Sequence, residues 1–322
     1  MLDVRRLRLL REVKLRGTLA AVAEALAYSP SSVSQQLSLL EAEAGVPLLE
    51  KSGRRVILTP QAELLVARAE EVLDILERAE DEVASSLTEV RGTVRLAVFQ
   101  SAAHALLPAA LTILREEYPE LRIEVTEREP EAGLFEVSAR DFDLVIAEQY
   151  PGHTRAHRRD LDRVVLGGDA IRLGVAAAPS PDGVEMTRMV PTDDDEGPFA
   201  SLRRLSEGRP WVMEPVGTAS REWAMQLCRA AGFEPDVRFE TADLMAHIRL
   251  IHSGNAVGLL PDLVWAGEAP TVHMVDLPGD PHRTIFTAAR RSSADRQAVA
   301  VCREALAQAV ELVAGPSRSP AR

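Results

Sequence analysis

From Pro60 to Val90 the chain contains no glycine and no second proline, and Ala62, Leu65, Ala69, Val72, Leu76, Ala79 and Val83 recur at alternating spacings of three and four. That is a heptad seam. It predicts one helix of about thirty residues, about 45 Å long at 1.5 Å per residue. An alanine-rich seam of that length finds no partner in the N-terminal third of the chain. A long surface helix would also fit, but pairing with a second copy is the favoured expectation, giving a homodimer or, by pairing of dimers, a homotetramer. The helix also divides the 322 residues, too many for one ordinary domain, into a short N-terminal segment and a long C-terminal one.

The N-terminal segment reads as three short helices and a hairpin. Val4 to Arg16 is amphipathic with an arginine-rich outer face and stops at Gly17. Thr18 caps a second helix, and Ser29 caps a third with Pro30 at its first position, where a missing N–H costs nothing. Gly45 ends the third helix, and "VPLLEKSGRRVILTP" reads as two strands about a Ser52-Gly53 turn. Short capped helices followed by a hairpin have the grammar of a winged helix-turn-helix, whose recognition helix enters the major groove by its N-terminal half. That half must be small and hydrogen-bonding. Here Pro30, Ser31, Ser34, Gln35 and Ser38 face outward, while Val33, Leu37 and Leu40 face inward. With the cap residues Thr18 and Ser29 and the neighbouring Ser32, these are the candidate DNA contacts. Gln35 has the bidentate geometry for adenine, and Arg54 and Arg55 at the hairpin tip suit phosphate or a narrow minor groove. Charge agrees. Residues 1–60 hold nine Lys and Arg against six Asp and Glu, whereas the whole chain is −12, as for a nucleic-acid-facing piece joined to an acidic body.

After Gly92 strands alternate with helices. "TVRLAVF", "LRIEVTE", "FDLVIAE", "IRLGVAA", "PWVME", "VRFET", "AVGLLP", "TVHMVD" and "TIFTAA" read as strands, with helices near 101–118, 220–231, 242–252 and 295–313. This is βαβ grammar and predicts a mainly parallel sheet covered by helices. Residues 179–210, rich in Pro and Asp, read as a mobile loop, and residues 316–322 as a disordered tail.

The stretch "LAAVAEALAYSPSSVSQQLSLLEAEAGVPLLEKSGRRVILTPQAELL" resembles the DNA-binding segment of LysR-type transcriptional regulators. The matching features are Ala20, Ala23, "SPSSVSQQLSLLE", "GVPLL", "GRRVILT" and the long helix after Thr59. The resemblance implies a winged helix-turn-helix over 1–59, a dimerising linker helix over 60–91 and an effector-binding domain over 92–315. That domain would have two α/β subdomains of periplasmic-binding-protein type, the first from 92–168 with 270–315 and the second from 169–269. Leu19 stands where the family commonly has an aromatic, Gln35 where an arginine is usual, Lys51 in place of arginine and Glu63 in place of glycine. These departures bear on which DNA sequence is read.

In such folds ligands bind in the crevice at the carboxyl ends of strands. Three edges qualify: Gln100, Ser101 and Ala102 after the first strand; Glu148 and Gln149 after "DLVIA"; and Gly217, Thr218, Ala219 and Ser220 before a helix of the other subdomain. Each also fits an ordinary helix cap or turn. The resemblance implies that the first and last line the effector cleft, and backbone N–H groups at a helix start favour an anionic effector such as a carboxylate.

The remaining signals are bland. His153 and His157 lack a third ligand at matching spacing, and His247 and His252 read as helix surface. Cys228 and Cys302 sit in apolar patterns as small hydrophobes. No nucleophile elbow, Walker loop or dinucleotide fingerprint is present, so neither an enzyme nor a cofactor is expected. No apolar run approaches a membrane span, and a cytoplasmic location is expected. The chain thus reads as a regulator binding a DNA operator and a small-molecule effector, with RNA polymerase as a further partner if it activates. The rival reading is a solute-binding or enzymatic α/β protein with a helical dimerisation arm.

Overall fold

The computed structural model describes residues 1–52, 55–86, 89–152, 158–177, 188–189 and 198–314, and the chain falls into two compact units. Residues 1–90, together with 291–297, form the first. Its helices α1 (Val4–Arg16), α2 (Leu19–Ala25) and α3 (Pro30–Ala44) are followed by the antiparallel hairpin β1 (Leu49–Ser52) and β2 (Arg55–Leu58), then by α4 (Pro60–Ser85). Every helix start is capped by a side chain: Asp3, Thr18, Ser29 and Thr59 each accept a hydrogen bond from an amide in the first turn. Gly17 and Gly45 close α1 and α3 in the left-handed conformation, at φ 75° and 69°, which glycine adopts without a Cβ penalty.

One core unites these elements. Leu7, Leu10 and Val13 of α1, Val22 of α2, Val33, Leu37 and Leu40 of α3 and Leu48 before the hairpin pack together with Ala62, Val66 and Ala69 of α4. The first half of the heptad seam is therefore spent inside the chain, because α4 begins as a wall of this small core. Apolar side chains left to solvent on α4 are Leu64, Ile75, Leu76 and Val83. The helix has 26 residues, about 39 Å, shorter than the sequence suggests.

The base of the hairpin is held by polar groups. Glu41 of α3 accepts the amides of Leu48 and Leu49 at 2.8 and 3.1 Å. Thr59, buried, donates its hydroxyl to the Pro47 carbonyl at 3.0 Å while capping α4.

The second unit covers residues 91–290 and 298 onward. Its elements are β3 (Gly92–Val98), α5 (Gln100–Glu117), β4 (Leu121–Glu127), α6 (Pro130–Ser138), β5 (Leu144–Gln149), β6 (Leu161–Val175), β7 (Arg188–Met189), α7 (Ala200–Ser206), β8 (Pro210–Met213), α8 (Ala219–Ala230), β9 (Asp236–Glu240), α9 (Leu244–His252), β10 (Gly258–Pro261), β11 (His273–Asp276), β12 (His282–Arg290) and α10 (Gln297–Ala314). Only part of the eight-stranded sheet is parallel, β3 with β4 and β5 and β7 with β11, while β8 and β9 form a separate parallel pair. The expectation of a mainly parallel sheet fails at β6. This 15-residue strand runs through both halves, antiparallel to β12 in its first part and to β10 and β11 in its second. Its first part, Leu161 to Ala170, was not legible, because Gly167-Gly168 and the acids around them hide it.

Strand pairing sets the two subdomains. Because β11 pairs with residues 172–175 of β6, it belongs to the second. The next strand, β12, pairs with the first part of β6, residues 161–170. Helices α6 and α7 also went unread, and α7 lies inside the segment expected to be a loop. The 316–322 tail lies outside the described residues.

Replacing Glu41 with Ala removes one acceptor from two amides. Hydrogen bonds to charged groups contribute about 1.5–3 kcal/mol, so amide exchange at Leu48 and Leu49 is expected to speed up by about tenfold or more, with Glu41→Gln recovering part of the protection. Unchanged exchange would show that this carboxylate does not hold the hairpin.

Candidate functional site

On α3 the buried stripe Val33, Leu37 and Leu40 turns Pro30, Ser31, Ser34, Gln35 and Ser38 to solvent, as the periodicity predicts. Ser32 is half-buried, and its amide is held by the Ser29 hydroxyl oxygen at 3.1 Å. Ser29 is also 2.9 Å from the Ser31 hydroxyl, and Thr18 is exposed at the start of α2 while capping Ala21. Two adjacent amides divide their roles: Gln36 accepts from Arg6 Nε at 3.0 Å and is committed to the fold, whereas Gln35 is exposed. Sequence reasoning missed Tyr28, half-exposed in the turn before α3, beside Ala27 in the left-handed region. An aromatic hydroxyl leading into the recognition helix was the available signal. Arg54 lies outside the described residues, and of Arg55 only its backbone, at the start of β2, is described.

In the second unit the crossing of β6 and β12 holds a buried arginine. Arg283 donates from Nε to Asp169 at 2.8 Å, from Nη1 to Glu148 and from Nη2 to the Ser101 hydroxyl at 2.7 Å. Asp169 also accepts the Leu263 amide at 2.8 Å. Burial opposes a charge here, but Glu148 and Asp169 outweigh it and hold the guanidinium's pKa above its ordinary value. Tyr150 is buried beside them, its phenol raised first by burial and then by Glu148.

A cavity of about 30 Å³, enough for about two water molecules, opens next to this network between the subdomains. Its polar lining is Tyr150, Glu214, Ser220, Arg221, His247 and Arg283, with Trp223 among its apolar walls. Tyr150 and Trp223 meet with ring centroids 5.7 Å apart. Gln100 spans the subdomains at the same place, taking the Leu244 amide on its Oε1 at 2.8 Å and donating to Asp243 at 3.2 Å.

The expected cleft residues separate accordingly. Gln100 bridges the subdomains, Ser101 and Glu148 meet on Arg283, and Ser220 lines the cavity. Ser101 does not cap α5, which begins at Gln100 with no side-chain cap, because the hydroxyl is taken by Arg283. Ala102 and Ala219 are buried among apolar neighbours, and Gln149 accepts instead from Arg163 at 3.1 Å. Gly217 is an exposed left-handed turn residue, and Thr218 caps α8. Arg283, Tyr150, Glu214, Arg221 and Trp223 were not found from sequence, since only Arg221 and Trp223 share an element, α8, and no local motif joins them to the others.

His247 is a correction. It is 2% exposed rather than on the helix surface, because α9 turns that face toward the body of the subdomain. Its Nε2 is 2.8 Å from the Thr241 carbonyl, and burial lowers its pKa below the ordinary value. An unpaired buried acceptor costs about 1–3 kcal/mol, and His247 Nδ1 has no hydrogen-bond partner among the described residues. His153 and His157 lie outside the described residues. Cys228 and Cys302 are both buried, and burial pushes the Cys228 thiol up to about 12, the opposite of a reactive thiolate. Among the described residues no helix is long and apolar enough to cross a membrane.

Two family models divide the chain. "Bacterial regulatory helix-turn-helix protein, lysR family" matches residues 4–63, and "LysR substrate binding domain" matches residues 88–311. The chain belongs to the LysR family of transcriptional regulators. This LysR-type regulator is 27% identical over 269 residues to the transcriptional dual regulator GltC of Bacillus subtilis (strain 168), covering 84% of each chain. It is 28% identical over 247 residues to a probable hydrogen peroxide-inducible genes activator of Mycobacterium avium, covering 75% of this chain and 72% of that one. Its fold is similar to that of a full-length OxyR variant from Pseudomonas aeruginosa, with TM-score 0.62 and 17% identity over 97% of this chain and 95% of that one. CbnR in complex with its target DNA gives TM-score 0.51 at 19% identity, over 96% and 100% of the two chains. The LysR-type regulator is thus a DNA-binding transcription regulator with an effector-binding domain, and its family is one of regulators rather than enzymes.

Replacing Arg283 with Met leaves Glu148 and Asp169 buried without their cation. Removing one partner of a buried pair costs about 3–5 kcal/mol, so the second unit's urea midpoint is expected to fall steeply. A midpoint within error of wild type would show that the network carries no stability.

Proposed function

We propose that this LysR-type regulator reads its operator through the polar face of α3, with Gln35 and Ser34 on base edges and Ser31, Ser38 and the hairpin arginines Arg54 and Arg55 on phosphates. Tyr28 extends that surface at its entry. The observation that carries the reading is the division of α3 itself. Hydroxyls and an amide stand exposed along one face while Val33, Leu37 and Leu40 anchor the other. A helix that merely covered a core would gain more from lysine and glutamate outside, and here the exposed groups are short enough for the backbone to approach a duplex.

Gel shifts over the intergenic DNA beside the regulator's own reading frame test this. Gln35→Ala is expected to weaken binding by about 5- to 150-fold, the worth of one bidentate base contact at about 1–3 kcal/mol. The logarithm of the affinity should fall linearly with the logarithm of salt concentration. Variant affinity equal to wild type, or binding indifferent to salt, would remove α3 from the interface.

The regulator works as a homo-oligomer paired through the second half of α4, where Ile75, Leu76 and Val83 are exposed at helical spacing. Light scattering on the Leu76→Lys, Val83→Lys double variant should give the monomer mass from a wild-type dimer or tetramer. A double variant of wild-type mass would place the interface elsewhere. A small molecule in the cleft between the subdomains shifts the population of their arrangements, to the extent that it binds one better than the other, in the cytoplasm and, for activation, in contact with RNA polymerase.

A further inference from the structure

Two glutamines stand side by side on α3, and the fold treats them differently. Gln35 is exposed, whereas the side-chain oxygen of Gln36 accepts from Arg6 Nε at 3.0 Å. A guanidinium N–H can only donate, so this bond fixes which end of the Gln36 amide faces α1. The same guanidinium donates from Nη1 to Glu43, farther along α3. The other oxygen of Glu43 accepts the Asp3 amide at 3.2 Å, at the start of α1. The Arg6 and Glu43 side chains are each 22% exposed. Partial withdrawal from water makes such a pair stronger than one on an open surface.

Gln36 and Glu43 are seven positions apart on α3, two turns and about 10 Å along the axis, so they share one flank of the helix. That flank runs between the buried stripe of Val33, Leu37 and Leu40 and the polar face of Ser34, Gln35 and Ser38. Apolar packing holds α3 to the core but is non-directional. The fork of Arg6 adds two directional bonds, on two successive turns, that oppose rotation of α3 about its own axis. Successive side chains point about 100° apart. A roll that brought Gln36 toward a groove would therefore carry Ser34 away from it and offer a second amide beside Gln35. A bidentate contact keeps its worth only when its groups are held to within about 0.5 Å and 10–20°.

We propose that Arg6 is a positioning residue for base readout: by gripping Gln36 and Glu43 it fixes the roll of α3, so that Gln35 and not Gln36 meets the base edge. This rests on the reading of α3 as the recognition helix. The effect is separable from affinity. An arginine that touched phosphate would strengthen binding at every sequence, whereas one that orients α3 acts on the difference between sequences.

Gel-shift titrations of the full chain test this on the intergenic DNA and on copies with one base pair replaced at a time across the footprint. The readout is the affinity ratio at each position, with thermal unfolding to verify that each variant is folded. Arg6→Met is expected to lower the largest ratio by about fivefold or more, the lower end of one bidentate contact. The slope of log affinity against log salt should stay at the wild-type value, because no phosphate contact is lost. Exchanging the two charges, Arg6→Glu with Glu43→Arg, should restore the ratio. The fork then reaches from α3, and the Gln36 amide turns over to donate its nitrogen to the carboxylate on α1. Should either Arg6 variant fail to fold, Glu43→Gln weakens one arm with Arg6 in place and should lower the same ratio by about twofold or more.

Ratios unchanged in Arg6→Met or in Glu43→Gln, or ratios that fall without recovery in the folded charge exchange, overturn the positioning role. A uniform loss on every fragment, with the salt slope reduced by about 0.9, makes Arg6 a phosphate contact and overturns it as well. Gln35→Ala on the same fragments separates the two levels. If it flattens the ratios and the Arg6 and Glu43 variants do not, the recognition helix stands and the clamp fails. If none of them does, the reading of α3 fails with it.

Discussion

The Arg283 guanidinium is removed from water and held by Glu148 on β5, Asp169 on β6 and Ser101 on α5, while Arg283 itself lies on β12. A dehydrated cation is tolerated only when its partners arrive together in good geometry. The register of three strands and the placement of α5 are therefore tied to one charge. Through Asp169 the same charge also reaches the Leu263 amide in the second subdomain. The crossing of β6 and β12 is thereby a joint with a defined chemistry. Arg283 itself lines the cavity beside it, so the joint and the cavity wall share that residue.

That arrangement gives the polar residues at the starts of α5 and α8 partners from within the chain. Small polar residues at the starts of α5 and α8 look like anion cradles, because the first turn of a helix offers unpaired N–H groups. In the folded protein, Arg283 and Glu214 arrive from elsewhere and occupy those positions. The hydroxyls that seemed to await a ligand are already bonded. His247, whose spacing along α9 suggests exposure, is instead buried with its Nε2 against the Thr241 carbonyl.

In the first unit the dominant constraint is different and local. Four caps define where the helices start and two left-handed glycines where α1 and α3 stop, and one small apolar core gathers α1 to α4. Thr59 illustrates how closely these are coupled. One hydroxyl caps α4 and binds the base of the hairpin, so the start of the linker helix and the placement of the wing cannot be adjusted separately. The seam of α4 was overestimated for the same reason: Ala62 and Ala69 have the spacing of a dimer contact but serve the core of their own chain.

The bounds and caps of α1 to α3, the exposed face of α3 and most strands of the second unit were determined by sequence alone, since each depends on neighbours within a few residues: periodicity, a capping oxygen, a proline or a glycine. Only tertiary structure decided the antiparallel course of β6 and β12, the buried setting of His247 and the partners of Arg283. These depend on residues such as Ser101, Glu148, Asp169, Glu214 and Arg283, which are far apart along the chain. Side chains that distant acquire a common electrostatic environment only when folding excludes water from between them, and no local pattern records which of them will meet.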